Sequence, residues 1–286
     1  MIKKAQIENS EEPVFDTQAQ FIKVNGLRLR YLDQGEGPTI LLLHGFPDDL
    51  SVWDKLTPLL LRAGYRVLAF DQRGFGESEM AATCGDYHID KIVSDIPMLL
   101  DQLALTEPVY LVGHDWGAVI AWAFCLAHTE RVRASVNISV GHPESYRRAG
   151  LFQKLIKGFY TLWFQCRGLA EWYLRRGGLK RWLSSHPEPN PSINSMSRPE
   201  RLTAGLSWYR ANFASILFQP WPDCYVPTLS IWSAQDRFLS EAQVINSRKY
   251  MQAEWQYKRI ENTGHWVPLE QAEQLADLLL DWFADK

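Results

Sequence analysis

The stretch that decides the fold is VYLVGHDWGAVIAW, residues 109–122. It opens with an apolar run, which is typical of a strand buried on both faces of a sheet. A Gly-x-Asp-x-Gly turn from Gly113 to Gly117 follows, and then a run of small and apolar residues that predicts a helix. The two glycines fit a strand and a helix pressed together with no room for a side chain. This stretch therefore predicts a strand, a tight turn and a helix, with Asp115 in the turn.

Asp115 has two interpretations. Aspartate is a preferred N-cap residue, so a carboxylate at this position can simply cap the helix. The spacing is also that of a nucleophile elbow, with aspartate in the place of the usual serine. The helix N-terminus behind the turn favours a charged carboxylate, because free N–H groups and the helix dipole point towards it. The surrounding segments favour the second interpretation.

Strand-like and helix-like segments alternate on both sides of this stretch. TILLLHG at residues 39–45 and RVLAF at residues 66–70 are further apolar runs, and helical segments separate them. Such alternation predicts an α/β fold with a mostly parallel central sheet flanked by helices. From about residue 142 the sequence becomes helical, aromatic and interrupted by proline. We therefore predict a tail, a first part of the core, a helical cap and a second part of the core, with the bounds 1–20, 21–141, 142–221 and 222–286.

Composition and charge exclude several classes of protein. The chain has 286 residues, 46% of them hydrophobic, which is enough for one large core with an inserted subdomain. The formal net charge of -3 provides no basic field for nucleic acid. No segment approaches the roughly 18 uninterrupted apolar residues of a membrane span, and the polar N-terminus does not resemble a secretory signal. We expect a cytoplasmic protein without nucleic-acid or membrane partners, either a monomer or a homodimer.

The cysteines predict neither disulfides nor a metal site. They are far apart in the sequence, with no Cys-x-x-Cys pair and no histidine at a spacing suited to zinc. Cys125 lies in an apolar run, as a buried free thiol would. We therefore expect reduced thiols, no metal and no cofactor. The four cysteines are Cys84, Cys125, Cys166 and Cys224.

Four segments together resemble a known family. They are the turn at Asp115, HGFP at residues 44–47, Asp236 in SAQDRFL and His265 in ENTGHW. Asp236 and His265 each follow a predicted strand, and the chain order of nucleophile, acid and histidine is that of α/β-hydrolases. After residue 20 the chain resembles the α/β-hydrolases that use an aspartate nucleophile. This group includes epoxide hydrolases, haloalkane dehalogenases and fluoroacetate dehalogenases.

The resemblance implies a role for each segment. Asp115 would be the covalent nucleophile, His265 the general base and Asp236 the acid that orients the histidine. The backbone N–H groups of Phe46 and Trp116 would form an oxyanion hole. The alternative for His265 is an ordinary loop histidine, but its place after the last strand favours catalysis. Since only a neutral imidazole is a base, activity should fall as His265 becomes protonated.

The residues of the predicted helical cap indicate which leaving group the site accepts. An epoxide releases an alkoxide, which needs a proton, and epoxide hydrolases supply it from two tyrosines. SWYRANF resembles the segment of the second tyrosine and points to Tyr209, which lies on an apolar stripe at helical spacing. FYTLWFQ resembles the segment that carries the first tyrosine and points to Tyr160, and Tyr173 is the alternative for this role. For each tyrosine the plainer interpretation is an amphipathic core residue.

Dehalogenation is the alternative reaction for the same triad. Halide leaves without a proton and needs only N–H donors, which Trp163 or Trp208 would supply. Phe46 stands where haloalkane dehalogenases commonly have asparagine, and Trp116 where fluoroacetate dehalogenases favour arginine, so the resemblance favours an epoxide hydrolase. A small-molecule receptor without turnover is the alternative from another class, because fold does not determine function. It is disfavoured because each catalytic position holds a competent residue.

The resemblance implies a small apolar epoxide and water as the reactants. The expected product is a vicinal diol, formed through an ester of Asp115 that is hydrolysed by water activated by His265. The tryptophans of the insertion also favour an apolar substrate. The side chains expected to contact it are Phe46, Pro47, Trp116, Trp163 and Trp266.

Overall fold

The computed structural model describes residues 19–149 and 159–286. In these residues eight strands form one sheet: β1 Gln20–Val24, β2 Leu27–Gln34, β3 Thr39–Leu43, β4 Arg66–Phe70, β5 Val109–His114, β6 Val132–Ile138, β7 Thr228–Ser233 and β8 Trp255–Ile260. Their order across the sheet is β1-β2-β4-β3-β5-β6-β7-β8. The β1–β2 and β2–β4 pairs are antiparallel and the others are parallel. The predicted α/β class with a mostly parallel sheet is confirmed.

The described helices alternate with the strands. Their bounds are α1 Thr57–Arg62, α2 Ile89–Val93, α3 Asp95–Gln102, α4 Trp116–Ala127, α5 Pro143–Arg147, α6 Leu169–Tyr173, α7 Leu179–Trp182, α8 Pro189–Met196, α9 Pro199–Phe218, α10 Glu241–Asn246, α11 Val267–Glu270 and α12 Ala272–Phe283. Residues 159–163 are also helical, and a kink at Arg176 and Gly177 separates α6 from α7. None of these helices is both long and apolar enough to cross a membrane.

Helices α5 to α9 lie between β6 and β7, in the segment for which the sequence predicts a helical cap. The described part of this segment contributes no strand to the sheet. Its separation as a domain stays a prediction. Residues 1–18 of the predicted tail and residues 150–158 of the predicted cap lie outside the described residues.

The central strands carry the candidate residues at one edge of the sheet. β3, β5 and β7 are buried along their whole length, which explains their nearly continuous apolar sequences. In a parallel sheet the carboxyl ends of neighbouring strands meet at one edge, and ligands bind there. Phe46 follows β3, Asp115 follows β5, Asp236 follows β7 and His265 follows β8. The topology therefore brings together four positions that are far apart in sequence.

Helix α9 is fixed to the loops of the sheet by buried polar contacts. The Asn212 side chain accepts a hydrogen bond from the N–H of Ile89 at 2.7 Å. The indole N–H of Trp208 donates to the carbonyl of Arg73 at 3.2 Å. Both Trp208 and Asn212 are fully buried. These contacts hold Tyr209, the residue after Trp208, in a fixed place beside the sheet edge.

Candidate active site

The turn at Asp115 has a backbone conformation that few residues adopt. Asp115 has φ 53° and ψ -122°. A Cβ on Gly117 would overlap the backbone of Leu43, and a Cβ on Gly113 would lie 2.6 Å from the Cα of Ala118. Neither position has room for a side chain. The strand, tight turn and helix predicted for residues 109–122 are therefore present, and the glycines are required for the reason given by the sequence.

The carboxylate of Asp115 has two different environments at its two oxygens. Its side chain makes no capping hydrogen bond to α4 in the described structure. Oδ1 instead accepts a hydrogen bond from the N–H of Phe46 at 2.9 Å. Oδ2 lies 3.6 Å from Nε2 of His265. The Phe46 N–H thus lies where an oxyanion donor is expected, whereas the contact of the Trp116 N–H stays a prediction.

His44 holds the loop that carries Phe46. Its Nε2 accepts a hydrogen bond from the N–H of Gln72 at 3.0 Å, and its carbonyl accepts one from the Gln72 side chain at 2.6 Å. Its Nδ1 donates to the carbonyl of Gly45 at 3.0 Å. A Cβ on Gly45 would lie 2.6 Å from Oδ1 of Asp115. The loop is therefore locked against the carboxylate at a distance that only glycine permits.

His265 lies between two carboxylates. Its Nδ1 donates to Oδ2 of Asp236 at 2.7 Å, and its Nε2 faces Asp115. The other oxygen of Asp236 accepts hydrogen bonds from the N–H groups of Phe238 at 2.7 Å and Leu239 at 3.0 Å. These bonds fix the carboxylate of Asp236, which in turn fixes the imidazole. Both carboxylates predicted for the triad therefore lie within contact distance of His265.

The pKa of His265 is raised to about 10. Burial alone would lower the pKa, but the charges of Asp236 and Asp115 and their hydrogen bonds to the ring outweigh it. The same pairing lowers the pKa of Asp236 to about 2, although burial opposes this. In the resting protein at neutral pH, His265 is therefore an imidazolium. Its pKa depends on the negative charge of Asp115.

We expect the free energy of unfolding to fall as the pH rises from about 6.5 to about 10. The pKa of His265 is about 10 in the folded state, whereas the ordinary value for histidine, expected in the unfolded chain, is 6.5. Protonation therefore favours the folded state; this stabilisation is complete below the unfolded pKa and is lost as the pH rises through the folded pKa. Denaturant titrations at about pH 6, 8 and 10 measure the slope. The His265→Gln variant should lack the part of the pH dependence that comes from His265. An identical pH dependence of the free energy of unfolding in both proteins would contradict the raised pKa of His265.

Tyr160 and Tyr209 lie together beside Asp115. Their ring centroids are 6.0 Å apart and their planes are inclined by 79°. The pKa of each hydroxyl is raised well above 10, first by burial and then by the negative charge of Asp115. Both residues line the cavity that Asp115 lines. Each hydroxyl therefore keeps its proton and is available as a hydrogen-bond donor.

The competing tyrosine lies elsewhere. Tyr173 is 41% exposed, and its ring packs against Trp163 with a centroid distance of 6.0 Å. Neither residue lines the described cavity beside Asp115. The geometry therefore favours Tyr160 over Tyr173 as the partner of Tyr209.

A cavity of about 100 Å³ opens at Asp115. Most of its wall is apolar, and Tyr146, Thr161 and Gln243 add polar groups that the sequence analysis did not identify. The side chains on its wall, besides the two tyrosines and these three, include Asp115, Trp116, Val119, Val140, Phe213, Ile216, Leu217 and Leu239. The site is thus a mainly apolar pocket with a few polar groups, as is usual for small-molecule sites.

Only one of the five predicted substrate contacts, Trp116, lines the described cavity. Phe46 is buried and packs edge-on against Tyr209, with ring centroids 5.4 Å apart. Trp266 is also buried, and Pro47 belongs to the locked loop after β3. Trp163 packs on a tyrosine outside the cavity. The assignment of these four residues as substrate contacts is therefore not supported by the cavity.

A buried carboxylate that the sequence analysis missed joins three segments of the site. Asp48 accepts hydrogen bonds from Nε2 of His186 at 2.9 Å, from Oγ of Ser192 at 2.6 Å and from the indole of Trp266 at 2.9 Å. Nδ1 of His186 accepts from the N–H of Glu188 at 2.9 Å, so the ring is neutral and donates through Nε2. Asp48 thus ties the loop after β3 to the predicted cap and to the loop after β8.

Comparison with known proteins places the chain in a family. The family model for the alpha/beta hydrolase fold matches residues 38–272. Epoxide hydrolase A from Mycobacterium tuberculosis is 30% identical over 315 residues, which cover 92% of this chain and 96% of that protein. The AB hydrolase superfamily protein YfhM from Bacillus subtilis is 29% identical over 282 residues, which cover 93% and 98%.

Solved structures agree with the sequence comparison. Epoxide hydrolase A from Mycobacterium thermoresistibile has a TM-score of 0.80 at 26% identity, covering 93% of this chain and 98% of that one. A mutant epoxide hydrolase from Solanum tuberosum has a TM-score of 0.83 at 26% identity, covering 94% and 99%. The chain therefore belongs to the α/β-hydrolase fold family and, within it, to the epoxide hydrolase family.

Proposed function

We propose that this protein is an epoxide hydrolase that converts an apolar epoxide to a vicinal diol through a covalent ester of Asp115. The observation that carries the proposal is that two tyrosines, Tyr160 and Tyr209, line the cavity of the carboxylate. An alkoxide leaving group needs a proton donor, whereas a halide does not. The epoxide hydrolases among the relatives support the same reaction.

In the first step Oδ2 of Asp115 attacks a ring carbon and the carbon–oxygen bond of the epoxide breaks. The released oxygen takes a proton from Tyr160 or Tyr209. Oδ1 stays bound to the N–H of Phe46, which keeps the carboxylate oriented for attack. The products of this step are a hydroxyalkyl ester and a tyrosinate.

The second step depends on the charge of Asp115. Ester formation removes that charge, and with it one cause of the high pKa of His265. The imidazolium then gives up its proton, which passes through solvent to the tyrosinate and restores the neutral tyrosine. Neutral His265 accepts a proton from water, and the hydroxide attacks the acyl carbon of the ester. The developing negative charge falls on Oδ1, where the N–H of Phe46 lies within hydrogen-bond distance.

Collapse of this intermediate breaks the bond between the acyl carbon and Oδ2, which leaves as an oxygen of the diol. The proton of the new carboxyl group goes to this departing oxygen. Asp115 is then a carboxylate again and His265 an imidazolium, so the resting state is restored. In this scheme the histidine is a base only while the ester exists.

Product analysis tests the proposed reaction. The substrates are aryl and alkyl epoxides together with haloalkanes and fluoroacetate. We expect diol formation without halide release. Halide release without diol would make the protein a dehalogenase.

We expect the Tyr160→Phe/Tyr209→Phe double variant to open epoxides about 10²- to 10⁴-fold more slowly than the wild type. Without these hydroxyls, the alkoxide loses the two proton donors that lie together beside Asp115. Single-turnover kinetics with an alkyl epoxide measure the effect. Tyr173→Phe is the matched control, because this side chain is largely exposed and lies outside the cavity. Full activity of the double variant would contradict the role of the tyrosines.

A further inference from the structure

We propose that Gln243 forms a polar subsite in the cavity, which selects epoxides that carry a second, neutral oxygen function away from the ring. This inference rests on the proposed function. Gln243 is only 5% exposed and lines the same cavity as Asp115. Its side-chain Nε2 has no hydrogen-bond partner in the part of the chain that the structure describes.

The unpaired nitrogen of Gln243 lies just beneath the cavity wall, where a turn of the side chain would bring it to a ligand. Buried polar groups in folded proteins are almost always hydrogen-bonded, and leaving one unpaired is unfavourable. The wall of the cavity is mostly apolar, and no acceptor of the described residues lies within hydrogen-bond distance of this Nε2. An oxygen atom of a bound molecule is the acceptor that Gln243 lacks.

The position of Gln243 is fixed by its backbone. Its carbonyl accepts hydrogen bonds from Oγ of Ser145 at 2.7 Å and from Oγ of Ser247 at 3.2 Å. A Cβ on Gly141 would overlap the same carbonyl group, so the loop after β6 packs directly on it. The start of α10 is therefore held in place before any ligand arrives. Only the side chain of Gln243 then has to be ordered when a ligand binds, which limits the loss of conformational entropy.

The lining of the cavity defines the class of ligand. Asp115 follows β5 and Gln243 lies on α10, so one molecule that contacts both has two reactive or polar ends. No lysine or arginine lines the described cavity, which disfavours a carboxylate at the second end. The apolar wall between them fits a hydrocarbon spacer. The fitting substrate is an epoxide with a carbonyl, ester or ether oxygen beyond an apolar segment.

The experiment compares two epoxides of equal chain length, one with an ester oxygen and one a pure hydrocarbon. We expect Gln243→Leu to lower kcat/KM for the ester-bearing epoxide about tenfold, mainly through KM. The loss for the hydrocarbon epoxide should be much smaller, because that substrate offers the amide no oxygen, so the ratio of the two kcat/KM values should fall. Gln274→Leu, at an exposed position of α12, is the matched control and should change neither value.

The two proposals fail in different ways. An unchanged ratio of the two kcat/KM values in Gln243→Leu, or equal losses for both epoxides, would overturn the subsite while leaving the reaction intact. Failure of the wild type to hydrolyse either epoxide would instead overturn the proposed function. In that event the subsite is tested by calorimetric binding of the two corresponding diols to the wild type and to Gln243→Leu. Tenfold weaker binding of only the ester-bearing diol by the variant supports the subsite. Equal binding of that diol by the two proteins refutes it.

Discussion

Replacement of Asp115 by alanine is expected to lower epoxide hydrolysis at least about 10⁴-fold, because no other nucleophile in the described cavity is placed to form the ester. The aspartate carboxylate alone contacts both the Phe46 N–H and the imidazole of His265. Initial rates of diol formation measure the loss. The cavity would remain, so binding of the substrate should persist.

The positive φ of Asp115 makes a second variant necessary. Alanine is strained at φ 53°, whereas asparagine tolerates this region better. Asp115→Asn should therefore keep the thermal stability of the wild type and still lose initial activity; a slow return of activity would mean that the amide is hydrolysed to aspartate. Asp281→Ala, at an exposed position of α12, is the control. An Asp115 variant that is folded and retains wild-type rates would refute the nucleophile.

The His265→Gln variant is expected to stop after the first step and to accumulate the ester. Its nucleophile is intact, but no base remains to activate water, so the steady-state rate should fall about 10³-fold or more. Intact-protein mass spectrometry should detect one added substrate mass per chain, and peptide mapping should place it on Asp115. A single burst of one equivalent should precede the slow phase.

The control for this prediction is His128→Gln. His128 follows α4 at a partly exposed position, away from the described cavity, and this variant should turn over without accumulating an adduct. A substrate that the wild type hydrolyses but that adds no mass to His265→Gln would contradict the covalent scheme. Added mass on a residue other than Asp115 would contradict it equally.

Local requirements explain why the fold, and the meeting of Asp115, Asp236 and His265 at one edge of the sheet, could be predicted from the sequence. A strand and a helix in contact demand glycine at Gly113 and Gly117, and this demand is visible in a few adjacent residues. The ends of parallel strands meet at one edge, so Asp236 and His265 are recognisable from their place after a strand. Such signals need no knowledge of which distant residues come together.

The residues that sequence reasoning missed depend on distant partners. Asp48 binds His186, which lies 138 residues away, and Trp266, which lies 218 residues away. An aspartate in the pair Asp48-Asp49 carries no local sign of such contacts. Similarly, the sequence of a helical segment indicates that an aromatic residue is buried but not which cavity it faces. For this reason the prediction that Trp163 contacts the substrate finds no support in the described cavity.

The pKa of His265 is another property that only the folded structure reveals. The sequence suggests a histidine that loses activity when it becomes protonated near its ordinary pKa. The carboxylates of Asp236 and Asp115 instead keep the resting imidazole protonated to about pH 10. Protonation is thus the starting state of the proposed cycle rather than its inhibition, and the relevant pKa is that of His265 beside an esterified Asp115.

The contacts of Asp48 have a consequence for protein engineering by domain exchange. His186 and Ser192 come from the predicted cap, whereas Asp48 and Trp266 come from the two flanking parts of the core. A chimera that receives a foreign cap without these two donors would leave the buried carboxylate of Asp48 with the indole alone, which is strongly unfavourable. Transplanted caps will therefore be accepted only when position 48 is redesigned with them, so the unit of exchange is larger than the cap itself.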